Sequence, residues 1–171
     1  MAAARRASAG FTLLEVMVVL VLIGIITSFA VLSIGGGTGQ RLAEEAQRLA
    51  RLIELHQQEA ILSGELRGIR FNPAGYVLFS LNDQGQWQPL NASTGLTQQS
   101  LPEDMTLELW VEGRRVNLKN ASEPQVALLN SGETTEFIAV FSLTGDDQPG
   151  APVQRVSGDS LGRLTVETVN R

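Results

Sequence analysis

Three hydrophobicity patterns follow one another along the chain, and each predicts a different kind of structure. Residues 16–34 form a run of 19 residues without a formal charge, which is typical of a helix that is apolar on every side. Residues 41–63 repeat apolar positions at helical spacing, and from Arg67 onward the period changes to two. The order predicts an apolar helix, an amphipathic helix and then a domain rich in β-strands.

The first helix is long enough to cross a bilayer. At a rise of ~1.5 Å per residue, residues 16–34 cover most of a hydrocarbon core of ~30 Å, and starting at Phe11 the run reaches 24 residues, interrupted by Glu15 alone. Arg5 and Arg6 are the only charges before Glu15, and cationic flanks tend to stay in the cytoplasm. We expect a single-pass protein of the bacterial inner membrane, with a cytoplasmic amino terminus and a periplasmic carboxy-terminal domain.

The second helix should pack on that domain through one face. Glu44 and Arg48 are predicted to pair on its polar side at i, i+4 spacing, while Leu55 and Leu62 point away from the apolar stripe and are candidates for contact with a partner subunit. The only histidine of the chain lies on the stripe, so a core or boundary position is expected for it rather than catalysis or metal binding. The stripe consists of Leu42, Ala46, Leu49, Ile53, His56 and Ala60.

The rest of the chain reads as antiparallel β-structure with seven to nine strands. Short connections rich in Gly, Asn and Pro separate the segments, which favours pairing between neighbours. We therefore predict an α+β domain in which the long helix packs on antiparallel sheets that form a two-sheet, sandwich-like body. The predicted strand segments are RGIRFN, GYVLFSL, MTLELWVEG, RRVNL, QVALLN, EFIAVFSL and GRLTVETV.

The composition of the chain argues against several classes of function. Residues 35–171 carry 11 Lys or Arg against 17 Asp or Glu, so binding of nucleic acid is not expected. The chain has no cysteine, which excludes disulfides and Cys-ligated metals. The acidic loop TGDDQPG lacks the ligand spacing of a calcium-binding EF-hand, and GGGTG lacks the lysine of a phosphate-binding loop. We expect no catalytic, cofactor-binding or metal-binding residues and no enzymatic activity.

Glu15 needs an explanation, because a carboxylate costs ~2.5–3.5 kcal/mol at the centre of a membrane helix and still something near its end. A secretory signal peptide would instead be cleaved after a site such as Ser28-Phe29-Ala30. A plain membrane anchor would need only apolar length. Neither alternative gives the acid a role.

The stretch AGFTLLEVMVVLVLIGII resembles the class III signal of type IV pilins and of type II secretion pseudopilins. The resemblance implies that a prepilin peptidase removes residues 1–10 by cutting between Gly10 and Phe11, and that the new amino terminus of Phe11 is methylated. It also implies a pilin-like fold, in which the long amino-terminal helix packs on antiparallel sheets. In the assembling filament, it implies that Glu15 pairs with the Phe11 amine of a neighbouring subunit. Many pilins interrupt this helix with proline, whereas the first proline here is Pro73.

A second resemblance, at the carboxy-terminal end of the chain, points to one type of pseudopilin. SGETTEFIAVFSL followed by DSLGRLTVE is similar to the end of the H-type minor pseudopilin domain. It implies a structural subunit near the tip of the periplasmic pseudopilus that aids export of folded proteins. The implied partners are the I-, J- and K-type minor pseudopilins, the major pseudopilin, the prepilin peptidase, the inner membrane and, as a further candidate, secreted substrates.

Two other functions stay open at this point. They are a minor type IV pilin, which would act in pilus assembly, motility or DNA uptake, and a membrane-tethered periplasmic binding domain. The predicted organisation is a leader at 1–10, a transmembrane and filament-core helix at 11–34, a glycine-rich joint at 35–40 and a periplasmic domain at 41–171. Within that domain the helix should cover 41–63 and the strands 67–169.

Overall fold

The computed structural model describes residues 13–35, 37–90, 97–146 and 148–170, with side chains throughout except at 29–35 and Thr38. The chain divides into two compact units, residues 1–37 and 38–171, which are described separately below. The predicted leader, 1–10, lies outside the described residues.

Two long helices occupy the amino-terminal third of the described chain. Helix α1 spans Leu13–Gly35 and helix α2 spans Gly37–Ser63. The prediction that the second helix begins at residue 41 was wrong, because residues 37–40 are already helical. Gly37 and Gly39 cost about 1 kcal/mol each relative to alanine, but adding residues to a helix that is already nucleated is far less costly than starting one, since each added residue gains a hydrogen bond. Gly36, inside the predicted joint, lies outside the described residues.

The strands form two antiparallel sheets. The first contains five strands in the order β3-β2-β1-β7, with β4 pairing beside β3 along β2. Strands β1 and β2 form a hairpin around residues 72–75 and coincide with their predicted segments. The bounds are β1 Arg67–Asn72, β2 Gly75–Leu81, β3 Trp87–Pro89, β4 Gln98–Ser100 and β7 Val126–Leu128.

The second sheet also has five strands, in the order β10-β9-β8-β5-β6. Glu112 and Gly113 make the tight turn between β5 and β6 with φ of 49° and 74°, the left-handed backbone that such hairpins require. A 3₁₀ helix at Leu118–Asn120 follows β6. The bounds are β5 Met105–Val111, β6 Arg114–Arg115, β8 Phe137–Leu143, β9 Pro152–Gly158 and β10 Leu164–Asn170.

Helix α2 and both sheets share one hydrophobic core. Every residue of the predicted apolar stripe of α2 is buried, including His56 at 4% exposure, while Leu62 is 86% exposed. Phe71 of the first sheet meets Phe137 of the second with ring centroids 6.5 Å apart. The predicted fold class, an α+β pilin-like domain with a helix on two antiparallel sheets, is confirmed.

Some sequence predictions need correction. The described residues contain ten strands rather than seven to nine, and β9 was missed although it lies inside a sheet. Arg48 donates to Glu45 at 2.9 Å, three residues earlier, whereas Glu44 accepts from Gln40 at 3.1 Å. Glu45 lies nearer the buried side of the helix, and this position draws the arginine away from the predicted Glu44 pair.

Candidate assembly site

Glu15 lies in the first turn of α1 and is the only charged residue of that helix. A carboxylate in the first turn interacts favourably with the positive end of the helix dipole, by roughly 0.3–1 kcal/mol at an exposed position. The predicted cleavage and methylation site, Gly10 and Phe11, lies outside the described residues. The structure therefore places one of the three predicted assembly residues.

The rest of α1 is apolar around its whole circumference. All described side chains from 13 to 28 are exposed in the chain by itself, with Leu13 at 80% and Ile26 at 66%. Exposing the apolar surface of such a helix to water is unfavourable, so a helix without a polar face is normally surrounded by other apolar groups. Within the part of the chain that the structure describes, no helix meets both the length and the apolarity needed to cross a membrane.

Two hydroxyl groups of α1, those of Thr27 and Ser28, are bonded within the helix. Thr27 donates its hydroxyl to the carbonyl of Ile23 at 2.6 Å, and Ser28 donates to the carbonyl of Gly24 at 2.8 Å. A Cβ added at Gly24 would meet nothing within 4 Å. These residues therefore form a stretch of small, internally bonded side chains that a neighbouring helix can approach closely.

A polar cluster fixes the carboxy-terminal half of α2 to β1. Glu59 binds Arg67, and the same guanidinium lies 2.6 Å from Nδ1 of His56, which is 3.1 Å from Glu59. His56 occupies the core position expected from the apolar stripe. The pattern of α2 alone could not reveal the cluster, because its central cation comes from β1.

The second unit, residues 38–171, contains no group of metal-binding side chains among the described residues. Burial is the main cause that raises the pKa of the Tyr76 phenol, and the charge of Glu45 adds to it. The side chain of Asp159 closes a turn by accepting from the amides of Leu161 and Arg163 at 3.0 and 2.9 Å. Asp159 therefore stabilises the turn that leads into β10.

Exposed apolar side chains of this unit lie on α2, on one loop and on β10, where Val166 is 36% exposed. Leu55 is 38% exposed and Leu62 86%, so both point away from the core as their positions predicted. Ile61 and Leu161, at 50% and 65%, are further exposed apolar residues. They are single side chains rather than a continuous apolar helix such as α1.

Comparison with known families assigns two regions of the chain. The prokaryotic N-terminal methylation motif matches residues 5–35, which include Gly10, Phe11 and Glu15. The family described as type II transport protein GspH matches residues 45–162, which run from α2 to the turn before β10. The second match covers well over half of the chain.

Relatives and solved structures agree with this assignment. Type II secretion system protein H of Pseudomonas aeruginosa is 35% identical over 97% of this chain and 99% of its own length. The same protein of Aeromonas hydrophila is 31% identical over 94% of this chain and 93% of its own length.

Among solved structures, the minor pseudopilin EpsH from the type 2 secretion system of Vibrio cholerae matches with a TM-score of 0.60 and 25% identity, over 72% of this chain and 93% of its own. The solution structure of GspH from E. coli matches with a TM-score of 0.61 and 22% identity, over 75% and 89%, which supports the fold. The chain therefore belongs to the family of type II transport protein GspH, the H-type minor pseudopilins.

Proposed function

We propose that this chain is made as an inner-membrane precursor, is cut between Gly10 and Phe11, and then enters a periplasmic pseudopilus as a structural subunit. The observation that carries the proposal is an apolar helix with a single acid in its first turn, within a matched N-terminal methylation motif and ahead of a GspH domain. The apolar helix anchors the precursor in the inner membrane, and the domain after it lies in the periplasm.

Glu15 favours the transfer of α1 from the lipid bilayer into contact with neighbouring subunits. Cleavage creates a cationic amine at Phe11, and methylation retains that charge. A carboxylate in apolar surroundings is costly alone, and pairing with an opposite charge recovers much of the cost. In the assembled filament Glu15 pairs with the Phe11 amine of the adjacent subunit. The acid thus makes residence as a single helix in the bilayer less favourable than assembly.

The subunit joins the I-, J- and K-type minor pseudopilins near the tip of the filament, above the major pseudopilin. Two observations support this position. The chain belongs to the GspH family, and it matches relatives named type II secretion system protein H over nearly their whole length. The filament helps to move folded substrates through the outer-membrane channel, and this chain contributes contacts rather than chemistry.

Mass spectrometry of the amino terminus tests the processing step. We expect the protein recovered from secreting cells to begin at Phe11 and to carry one added methyl group. A Gly10→Val variant should keep its leader, because a bulky residue blocks cleavage after the glycine position. Recovery of the unchanged chain with residues 1–10 still attached, while secretion continues, would contradict the proposal.

A charge-removing variant tests the role of the acid. Glu15→Gln keeps the size of the side chain and should be inserted, cleaved and methylated normally. Copurification of neighbouring pseudopilins should fall about a hundredfold or more, because leaving one charge of a buried pair alone costs roughly 3–5 kcal/mol. Glu54→Gln, on the exposed face of α2, is the matched control and should assemble normally. Full assembly of Glu15→Gln would exclude the pairing mechanism.

A further inference from the structure

A cavity of about 490 Å³ lies beside β5, at one edge of the second sheet. Its volume is within the roughly 300–1,000 Å³ typical of ligand sites. Leu107 and Leu118, both buried, and the half-buried Val116 supply apolar lining, and Asn117 and Lys119 supply polar lining. We call this cavity, lined by residues 106–108 and 115–119 and by Pro73 of the β1–β2 turn, the β5 edge cleft.

The backbone of β5 is open towards this cleft. Strand β5 pairs with β8 along all seven residues, but with β6 only at Trp110 and Val111. Val116 donates its amide to the carbonyl of Leu109 at 2.8 Å, after which the chain turns away into the 3₁₀ helix. Along residues 105–108, therefore, no described strand pairs with the second edge of β5.

The direction of the backbone groups follows from this register. The carbonyl of Leu109 faces β6, and successive residues of a strand direct their amide and carbonyl to alternate edges. Leu107, two residues earlier, thus presents its amide and carbonyl to the cleft. An open edge of this kind is a template for an additional strand.

The charges around the cleft select the partner. Lys119 lines it, and Arg114 lies on the adjoining strand β6; both are exposed, and neither has an ion pair among the described residues. Arg115 is already paired with Glu108 at 2.5 Å. Most other described arginines of this acidic unit have a carboxylate partner, as in Arg41–Asp104 and Arg155–Glu167. Two uncompensated cations beside one open strand favour an anionic ligand.

We propose that the β5 edge cleft binds an extended, acidic peptide segment of a partner protein, which adds a strand next to residues 105–108. The backbone of the segment bonds to Leu107, an apolar side chain enters beside Val116 and Leu118, and a carboxylate side chain meets Lys119. The site uses none of the residues of α1, so it is separate from the assembly function proposed above.

A second copy of this chain fits the cleft poorly. Pairing of β5 with β5 of another copy at residues 105–108 would place the two clefts, and with them the two Lys119 side chains, against each other, and like charges brought together at an interface oppose association. An acidic segment of a different protein carries the complementary charge. The proposed occupant is therefore a heterologous one.

Selection from a peptide library tests the site directly. Phage that display random decapeptides are selected on the purified full-length chain in detergent micelles, and affinities of the enriched synthetic peptides are measured by fluorescence polarisation. We expect peptides with alternating apolar and acidic residues, which bind Lys119→Glu about tenfold more weakly. Arg51→Glu makes the same charge change at an exposed position on α2 and should bind as the unchanged chain does.

Two readouts locate the peptide. Hydrogen exchange of the Leu107 amide should slow when peptide is bound, which a charge effect alone would not produce. Lys119 is the only lysine of the chain, so its acylation by an N-hydroxysuccinimide ester should be slowed by the same peptide.

Absence of acidic peptides from the selection, equal binding to Lys119→Glu, or unchanged exchange at Leu107 would overturn the proposal. Dimerisation through this edge would also overturn it and assign the cleft to a second copy. All readouts use the purified chain, so they do not depend on processing at Gly10 or on pairing of Glu15.

Discussion

The two long helices use hydrophobic residues in opposite ways. Helix α1 is apolar on every side, and its described side chains are all exposed in the isolated chain. Helix α2 buries one stripe in the domain core and presents charged residues on the other side. A helix with a single apolar stripe is stabilised by its own domain, whereas a helix that is apolar all round requires partners from outside the chain.

This difference separates stability from assembly along the chain. Substitutions in the α2 stripe should act on the free energy of unfolding of the periplasmic unit. Substitutions in α1 should leave that free energy unchanged and act on contacts with lipid or with neighbouring subunits. Matched variants of the two helices test whether stability and assembly are separated in this way.

The largest effect is expected from a cavity in the α2 stripe. Leu49 is fully buried, and Leu49→Ala should lower the free energy of unfolding by about 3–4 kcal/mol, because the transfer free energy of the side chain is lost and a cavity remains. Leu22→Ala, at a 52% exposed position of α1, should change it by less than about 0.5 kcal/mol. Urea unfolding followed by near-UV circular dichroism of the two aromatic-rich sheets measures both. Equal losses would mean that α1 also stabilises the domain.

The buried face of α2 can be predicted from the sequence for a simple physical reason. Burial of its stripe depends on local spacing, which is visible in the sequence. The same holds for β1 and β2, whose β-branched and aromatic runs are bounded by turn residues. Strand β9 lacks that signal, because its buried Gln154 is polar. That amide donates to Thr168 of β10 at 2.8 Å, and only the paired fold supplies this partner.

The two candidate sites differ in the same respect. Glu15 could be selected from the sequence, since one acid at the start of a long apolar run is visible without a structure. The β5 edge cleft could not. It depends on the shortness of β6, which pairs at only two positions, and on the departure of the chain after Val116. The segment RRVNL was predicted as a strand, and only Arg114 and Arg115 are part of one.

A smaller effect is expected from glycines matched between the two units. Gly162 has a φ of +78°, and a Cβ there would lie 2.0 Å from Nε2 of Gln57 and 2.3 Å from the carbonyl of Gly132. Gly162→Ala should cost about 2–3 kcal/mol, through left-handed backbone strain and displacement of the Gln57–Gly132 hydrogen bond.

The matched variant in α1 is Gly24→Ala, which meets no atom of the chain within 4 Å. It should leave the unfolding of the domain unchanged. It should instead weaken assembly, because a neighbouring helix can approach closely only where the residue has no Cβ. Thermal unfolding of both variants and copurification of neighbouring subunits measure the two effects. Loss of domain stability in Gly24→Ala would contradict the separation.

The smallest effect concerns the ion pair that joins the first turns of α2 to the loop before β5. The two terminal guanidinium nitrogens of Arg41 donate to the two carboxylate oxygens of Asp104, at 2.8 and 3.0 Å. This hydrogen bonding holds the pKa of the Asp104 carboxyl below its usual value. Since the pKa is lower in the folded state, the stabilisation is present above the pKa of the unfolded chain. It is lost as the pH falls through the folded pKa.

Asp104→Asn should therefore reduce stability at pH 7 by a small amount, because both side chains are about half exposed, and the difference from the unchanged chain should vanish in strong acid. In an Arg41→Gln background the same substitution should have no pH-dependent effect, since the carboxyl has lost its partner. Urea unfolding of the four variants between pH 7 and acid, evaluated as a double-mutant cycle, isolates the pair. A pH-dependent loss that persists without Arg41 would show that another group lowers this pKa.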